Sequence, residues 1–273
     1  MSSKLRKEGI TMKMYHVDAF TKNLFTGNPA AVCFADHFPD ESLMQHVAME
    51  NRLSETAFAV QKQPAEYDLR WFTPGGEINL CGHATLATAF LIFTFRQPAA
   101  DQVSFNTKSG QLKVRQVNGH LQMDFPSYQL NEVAVTPAMT AAFGVRPVAA
   151  YQDRDLLCVL PTASDVRKCR PRTADLLKLP GLLQNITAAS DDKHYDCVSR
   201  SFAPKMAVAE DPVCGSAHCQ IVPYWADQLG KKQVTAFQAS NRTGVLYCED
   251  RGSRVTIAGD AVLYSRGELL LPD

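Results

Sequence analysis

The chain has no excess of either charge and no apolar run long enough to cross a membrane. Its 273 residues include 28 lysines and arginines against 28 aspartates and glutamates. This balance argues against the basic face of a nucleic-acid-binding protein. No apolar run reaches about 18 residues, the length of a candidate membrane span. With 45% hydrophobic residues, the composition is that of a globular protein with a buried core. We therefore expect a cytoplasmic protein that binds neither nucleic acid nor membranes.

Cysteine is too sparse for a disulfide scaffold, and the usual cofactor motifs are missing. The eight cysteines are spread over a long chain whose basic first residues lack an apolar signal core. We therefore expect free thiols in a reducing compartment. The sequence contains neither a glycine-rich phosphate loop nor a dinucleotide fingerprint. Cys214, His218 and Cys219 could suggest a metal, but four ligands at zinc spacing are lacking. We expect no cofactor and no metal, and we place residues 1–12 outside the fold as a leader.

One pattern occurs twice in the chain: Arg-x-Phe-x-Pro, a linker, and then Cys-Gly-x-Ala. The first copy runs from Arg70 to Cys81 and the second from Arg200 to Cys214. The second linker is longer and contains residues 210–212 (Glu-Asp-Pro). A pattern repeated half a chain apart is typical of an internal duplication. The sequence therefore predicts two similar halves.

Each copy also predicts a strand that leads into a buried helix. Residues 67–71 alternate between apolar and polar side chains, as a half-buried strand does, and Pro74 ends the alternation. The apolar run at residues 84–93 is typical of a helix that is buried on nearly all sides. Asn-Gly at residues 118–119 is a strong hairpin signal among the strands that follow.

These patterns predict an α+β fold with two pseudo-symmetric halves. Each half is expected to be a curved, mostly antiparallel sheet wrapped around one central helix, with an active-site cleft between the halves. The predicted first half comprises residues 13–126 plus 262–273, and the second comprises residues 127–261.

The two predicted helix starts are suited to binding a small acid. The first N–H groups of a helix lack partners within it, and a glycine lets a ligand approach the backbone closely. Such a helix end attracts a carboxylate. A small carboxylic acid could therefore lie between the two helix starts. The residues at these starts that we predict to bind it are Cys81, Gly82, Ala84, Cys214, Gly215 and Ala217.

Four motifs follow one another along the chain. They are residues 53–58 (Leu-Ser-Glu-Thr-Ala-Phe), 71–74 (Trp-Phe-Thr-Pro), 81–85 (Cys-Gly-His-Ala-Thr) and 210–218 (Glu-Asp-Pro-Val-Cys-Gly-Ser-Ala-His). In this order they resemble the phenazine-biosynthesis PhzF-like isomerase family, over most of the chain. The resemblance implies a diaminopimelate-epimerase-like fold, a reaction without a cofactor and, as is common in the family, a homodimer.

The resemblance also implies a role for each matching residue. Glu55 resembles the acid/base that moves a proton between carbons of an unsaturated cyclic carboxylic acid. His83, Asp211 and Ser216 match residues that line the site and assist proton movement and substrate binding. The glycines that begin the two helices match positions whose neighbouring amides hold the substrate. Asn28, in an opening motif that also fits the family, is a further predicted substrate-binding residue.

Two other functions remain open from the sequence. Cys81 and Cys214 stand before the two glycines, where related cofactor-independent racemases and epimerases use a pair of cysteines. A helix amino end lowers a thiol pKa, which would favour a thiolate base. The other alternative is a non-catalytic binding or interaction protein on the same fold. Glu55 could also be no more than a solvated strand end, because most glutamates are exposed. As a base, it would need partial burial.

Overall fold

The computed structural model describes residues 11–271. Most of the expected leader, residues 1–10, lies outside this range. The last two residues of that leader were wrongly left out of the fold, because Thr11 and Met12 begin the first strand. Met12 is buried in a small apolar cluster with Met44 and Phe58, and this burial fixes it in the fold.

The first part of the chain contains eight strands and two α-helices. The strands are β1 (Thr11–Ala19), β2 (Asn28–Ala35), β3 (Glu55–Gln63), β4 (Glu66–Thr73), β5 (Gly76–Ile78), β6 (Gln102–Thr107), β7 (Gly110–Val117) and β8 (His120–Pro126). The helices are α1 (Glu41–Asn51) and α2 (Gly82–Leu91), and a π-helical turn at Ile92–Arg96 extends α2.

The second part contains the remaining elements. The strands are β9 (Asn131–Glu132), β10 (Ala149–Gln152), β11 (Leu156–Val159), β12 (Gln184–Ala189), β13 (Cys197–Ala203), β14 (Val208–Asp211), β15 (Gln233–Gln238), β16 (Gly244–Asp250), β17 (Arg254–Gly259) and β18 (Ala261–Leu270). The helices are α3 (Pro137–Phe143), α4 (Ala163–Lys168), α5 (Thr173–Leu176) and α6 (Gly215–Leu229), with a 3-10 turn at Pro204–Met206. Among the helices of residues 11–271, none combines the length and the apolar character needed to cross a bilayer.

The strand pairings of the first part recur in the second. The order β1-β2-β3-β4-β6-β7-β8 is matched by β10-β11-β12-β13-β15-β16-β17. The pairs β2–β3 and β4–β6 are parallel, and so are their counterparts β11–β12 and β13–β15. The short strands β5 and β14 pair with β4 and β13. The sheet is mostly antiparallel, as predicted, and its pairing pattern agrees with the duplication seen in the sequence.

Two antiparallel pairings tie the parts together. β17 pairs with β8 along six residue pairs, from Arg254↔Pro126 to Gly259↔Leu121. The last strand, β18, returns to pair with β1. This return is compatible with the predicted assignment of the chain end to the first half, which remains a proposal because Pro272 and Asp273 lie outside the described range.

The helices α2 and α6 occupy corresponding places between β5 and β6 and between β14 and β15. They contact each other, and both belong to one apolar core that includes Leu86 of α2 and Ile221 of α6. Nearly every residue of α2 is buried, as its apolar sequence predicts. Gly230 ends α6 in the left-handed conformation, as the glycine at that position predicts.

Candidate active site

Glu55 is the first residue of β3, where the chain emerges from the turn after α1. It pairs in register with Ala30 of β2, and the residues that follow it in β3 are buried. The Glu55 side chain is only 15% exposed to solvent. It is therefore not a solvated strand end, and it has the partial burial that the sequence analysis required of a catalytic base.

His83 is the second residue of α2 and faces Glu55. Its Nε2 atom lies 3.0 Å from Oε2 of Glu55, the distance of an ion pair, and the His83 side chain is 8% exposed. Its other ring nitrogen, Nδ1, lies 3.5 Å from Sγ of Cys81. Burial alone lowers the pKa of His83, but the neighbouring Cys81 and Glu55 raise it well above its usual range. The imidazole is therefore a proton-holding group next to the carboxylate.

The imidazole separates the thiol from the carboxylate. The polar atoms of Glu55, Cys81 and His83 lie within 4.8 Å of one another, close enough to raise the question of a metal centre. However, Cys81 contacts Nδ1 and Glu55 contacts Nε2. An ion bound to Nδ1 would have Glu55 on the far side of the imidazole ring, and an ion bound to Nε2 would have Cys81 there. The arrangement is better suited to moving a proton than to holding a metal ion.

Asp211, at the end of β14, brings the second part of the chain to the same site. Burial raises the pKa of Asp211; His83 lowers it and Glu55 raises it further, so that the net shift is upward. The Asp211 carboxyl is therefore close enough to His83 and Glu55 for their charges to shift its pKa. The motif residues Glu55, His83 and Asp211 thus interact electrostatically across the two parts of the chain.

Asn28 holds Asp211 in place. Its Nδ2 atom donates to Oδ1 of Asp211 at 2.9 Å and to the backbone oxygen of Val213 at 3.0 Å. The backbone N–H of Val213 donates to the same carboxylate oxygen at 3.1 Å. Asn28 is completely buried. It therefore positions an acid across the boundary between the two parts, whereas its predicted contact with the substrate remains a prediction.

Ser216 is the second residue of α6, the position that His83 has in α2. Its Oγ lies 3.4 Å from Sγ of Cys214. It also accepts a hydrogen bond from Nη2 of Arg154 at 3.0 Å. Ser216 is half-buried. The two helix starts therefore carry different chemistry, with an imidazole at one and a hydroxyl bonded to a guanidinium at the other.

Cys81 and Cys214 are the residues that immediately precede α2 and α6, as predicted, and both are buried. Burial, and next the Glu55 carboxylate, raise the pKa of the Cys81 thiol. Burial and Asp211 raise the pKa of the Cys214 thiol well above its usual range. Both shifts are opposite to the lowering expected at a helix amino end, because loss of solvent is the largest effect and the nearby carboxyls add to it.

The other predicted binding residues form the first turns of the two helices. Ala84, Gly215 and Ala217 are buried, and Gly82 is half-buried. A Cβ atom added to Gly82 would lie 3.5 Å from Cζ of Phe125 in β8. The first N–H groups of each helix have no carbonyl partner within the helix, and those of Ala84 and Ala217 lie against the thiols of Cys81 and Cys214. A substrate contact for these residues stays a prediction.

Three further residues support the site; Gln238 and Arg154 carry no motif signal in the sequence, whereas His218 ends the motif at residues 210–218 without a predicted role. Gln238, at the end of β15, accepts a hydrogen bond from the N–H of Cys214 at 2.8 Å and donates to the backbone oxygen of Asp211 at 2.6 Å. Nδ1 of His218 bonds the backbone oxygen of Cys214 at 2.7 Å. Arg154 bonds Ser216. The contacts of Gln238 and Arg154 link strands and loops far apart in the chain, so only the folded structure identifies these two residues.

The carboxyl–imidazole pair beside the start of α2 and the hydroxyl–guanidinium pair at the start of α6 are groups that an enzyme uses for acid–base chemistry on a small molecule. The family described as phenazine biosynthesis-like protein (PhzC-PhzF) matches residues 17–267. The chain belongs to this family, as its motifs predicted.

Individual relatives agree with this assignment. An uncharacterized isomerase of Pseudomonas aeruginosa is 44% identical over 261 residues, which cover 95% of this chain and 99% of that protein. The crystal structure of a PhzF family protein of Enterococcus faecalis has a TM-score of 0.92 and 43% identity, covering 96% of this chain and 100% of the other. These relatives confirm the predicted isomerase and favour it over the non-catalytic alternative.

A more distant structural likeness extends to the fold alone. The structure of a hydroxyproline epimerase from Agrobacterium vitis has a TM-score of 0.59 at 10% identity, covering 98% of this chain and 94% of the other. With the Enterococcus structure, it confirms the predicted α+β fold class.

Proposed function

We propose that the protein is a cofactor-independent isomerase in which Glu55 moves a proton between two carbons of a small unsaturated or cyclic carboxylic acid. The observation that carries the proposal is the pairing of Glu55 with His83, at 3.0 Å, beside the start of α2. A nearly buried carboxylate beside an imidazole that holds a proton provides the two groups needed for general acid–base catalysis.

The reaction needs only one proton and the electrons of the substrate. The Glu55 carboxylate takes a proton from one carbon, and the electrons of that C–H bond form a new carbon–carbon double bond. The electrons of the existing double bond shift to a more distant carbon, which takes the proton back from the carboxylic acid of Glu55. Nothing is oxidised or reduced, and Glu55 returns to its first state.

The surrounding groups stabilise the charge that develops in this step. The unpaired N–H groups at the starts of α2 and α6 bind the substrate carboxylate and the negative charge that spreads over it. His83 is the cation closest to Glu55 and can exchange a proton with it. Asp211, whose pKa is raised, can act as a second proton-holding group.

The test is proton exchange in deuterated water. The protein is incubated with a panel of cyclohexene- and cyclohexadienecarboxylates, and incorporation of deuterium is followed by NMR. We expect Glu55→Gln to lower the exchange rate about 100-fold or more, as is usual for loss of a general base. Glu132→Gln, an exposed residue of β9, is the matched control. Exchange that survives in the Glu55 variant contradicts the proposal.

A two-cysteine racemase or epimerase is the second candidate. It is favoured by the matching positions of Cys81 and Cys214 before the two helices. The raised pKa values of both thiols oppose it, because the thiolate is the reactive form. Loss of α-proton exchange from amino acids in Cys81→Ser and Cys214→Ser, but not in Glu55→Gln, would favour this candidate. The homodimer and the cytoplasmic location also stay predictions.

A further inference from the structure

Arg154 lies in the turn between β10 and β11 and reaches the first turn of α6. Its Nη2 atom donates to Oγ of Ser216 at 3.0 Å. Its Cζ atom lies 4.8 Å from the ring centroid of Tyr128, which places the guanidinium over the aromatic face. A guanidinium is therefore present at one of the two helix starts of the candidate active site.

The guanidinium is held in a fixed orientation by Asp155. Nε and Nη2 of Arg154 donate to the two oxygens of this carboxylate at 3.0 and 2.6 Å. Asp155 is completely buried, and its Oδ1 also accepts a hydrogen bond from the N–H of Leu183 at 3.2 Å. A two-pronged pair of this kind fixes direction as well as distance. Little conformational freedom is left for the guanidinium to lose when it binds a ligand.

One edge of the guanidinium remains available. Within residues 11–271, no hydrogen bond involves Nη1 of Arg154, and 33% of the side chain is exposed. Nη1 shares its carbon with Nη2, so it too lies near Ser216. Burial lowers the pKa of Arg154, but the bond to Asp155 raises it more, and the group stays charged. The free N–H groups of Nη1 therefore belong to a guanidinium that is charged and held in place by Asp155.

The charges at the two helix starts differ. Glu55 lies beside the start of α2, where its carboxylate offsets the positive charge of His83. Arg154 lies beside the start of α6, where its charge adds to the effect of the unpaired helix N–H groups. An anionic ligand is therefore favoured at α6.

We propose that Arg154 is a substrate-binding residue that, together with Ser216, binds the anionic group of the substrate and turns its reacting carbons toward Glu55. The inference rests on the proposed function for the place of the reaction. It adds the residue that selects a carboxylate over a neutral analogue of the same shape.

The test compares two probes that differ only in charge, cyclohexenecarboxylate and cyclohexenecarboxamide. Dissociation constants are measured by calorimetry on the full chain. We expect the wild-type protein to prefer the carboxylate, and Arg154→Gln to weaken carboxylate binding about tenfold, the value of one charged hydrogen bond. Carboxamide binding should not change. Arg154→Lys keeps the positive charge but loses the paired N–H donors of the guanidinium, and it should weaken carboxylate binding less than Arg154→Gln does.

Arg167→Gln is the matched control. Arg167 forms a similar two-pronged pair with Asp191, at 2.7 and 2.6 Å, on the exposed side of α4. We expect this variant to keep the preference for the carboxylate. Equal weakening of both probes in Arg154→Gln would show that Arg154 only supports the fold, and would overturn the proposal. A wild-type protein that binds the probes equally, or binds neither, overturns it as well.

The design separates this inference from the proposed function. Glu55→Gln should abolish deuterium exchange and keep the Arg154-dependent preference for the carboxylate. If the wild-type protein catalyses no exchange but shows that preference, the proposed reaction fails and the binding role of Arg154 stands. If exchange depends on Glu55 but the preference is unchanged in Arg154→Gln, the binding role fails alone.

Discussion

Nε2 of His83 lies 3.0 Å from Oε2 of Glu55, although β3, β4 and β5 separate the two residues in the chain. The thiol of Cys81 contacts the other ring nitrogen of His83, Nδ1. Asp211, from the second part of the chain, interacts electrostatically with both His83 and Glu55. This contact determines how the site should respond to pH.

The first prediction concerns stability as the pH changes. The pKa of His83 is raised in the folded protein, so folding is favoured by its proton. This contribution is fully present below the usual value of 6.5 and is lost as the pH rises through the raised pKa. The difference in free energy of unfolding between wild type and His83→Gln should therefore shrink as the pH rises above 6.5 and through the raised pKa. Urea denaturation at each pH measures it, and a constant difference contradicts the prediction.

The second prediction has the opposite sign and concerns His218. Burial lowers its pKa to about 4, and the ring is neutral in the folded protein. Unfolding lets it take up a proton, so stability should fall as the pH drops from 6.5 toward 4, by roughly 3 kcal/mol in all. His218→Asn should be less stable at neutral pH but lose this acid-dependent slope. Chemical denaturation of both proteins at several pH values measures this dependence. An equal dependence of the free energy of unfolding on pH in both proteins would argue against assigning it to His218.

The third prediction concerns the bond between Asn28 and Asp211. Asn28→Ala removes the amide that donates to the half-buried Asp211 carboxylate and to the buried Val213 carbonyl. We expect a loss of about 2 kcal/mol in the free energy of unfolding. Asn28→Asp should cost more at neutral pH, because it sets a second carboxyl beside Asp211. Asn131→Ala, at an exposed residue of β9, should change stability little. Similar losses for Asn28→Ala and Asn131→Ala would refute the role of Asn28.

The fourth prediction concerns the thiols before the two helices. Cys81 and Cys214 are buried and their pKa values are raised, so they should resist iodoacetamide in the native protein near neutral pH. In guanidinium chloride both should react at the rate of an ordinary cysteine. Mass spectrometry of the alkylated peptides measures the two rates. Rapid modification of either cysteine in the native protein would revive the two-cysteine candidate.

Much of the architecture could be predicted from the sequence because its signals are local. Alternating side chains marked β4, and the apolar run after Gly82 marked α2. The repeated Arg-x-Phe-x-Pro and Cys-Gly-x-Ala patterns predicted two similar parts, and the pairing order of the strands follows that repeat. Each pattern spans only a few positions, and the two copies of the repeat can be compared within the one chain, so one sequence is enough to detect them.

By itself, the sequence determined the family, the types of element and the residue types available for acid–base chemistry. Only the tertiary structure decided what surrounds them. It paired Asn28 with Asp211, set Arg154 against Ser216, and buried the thiols of Cys81 and Cys214 deeply enough to reverse the expected pKa shift. The physical reason is that desolvation and charge interactions depend on distances between atoms in space, and these groups become neighbours only when strands and loops far apart in the chain pack together.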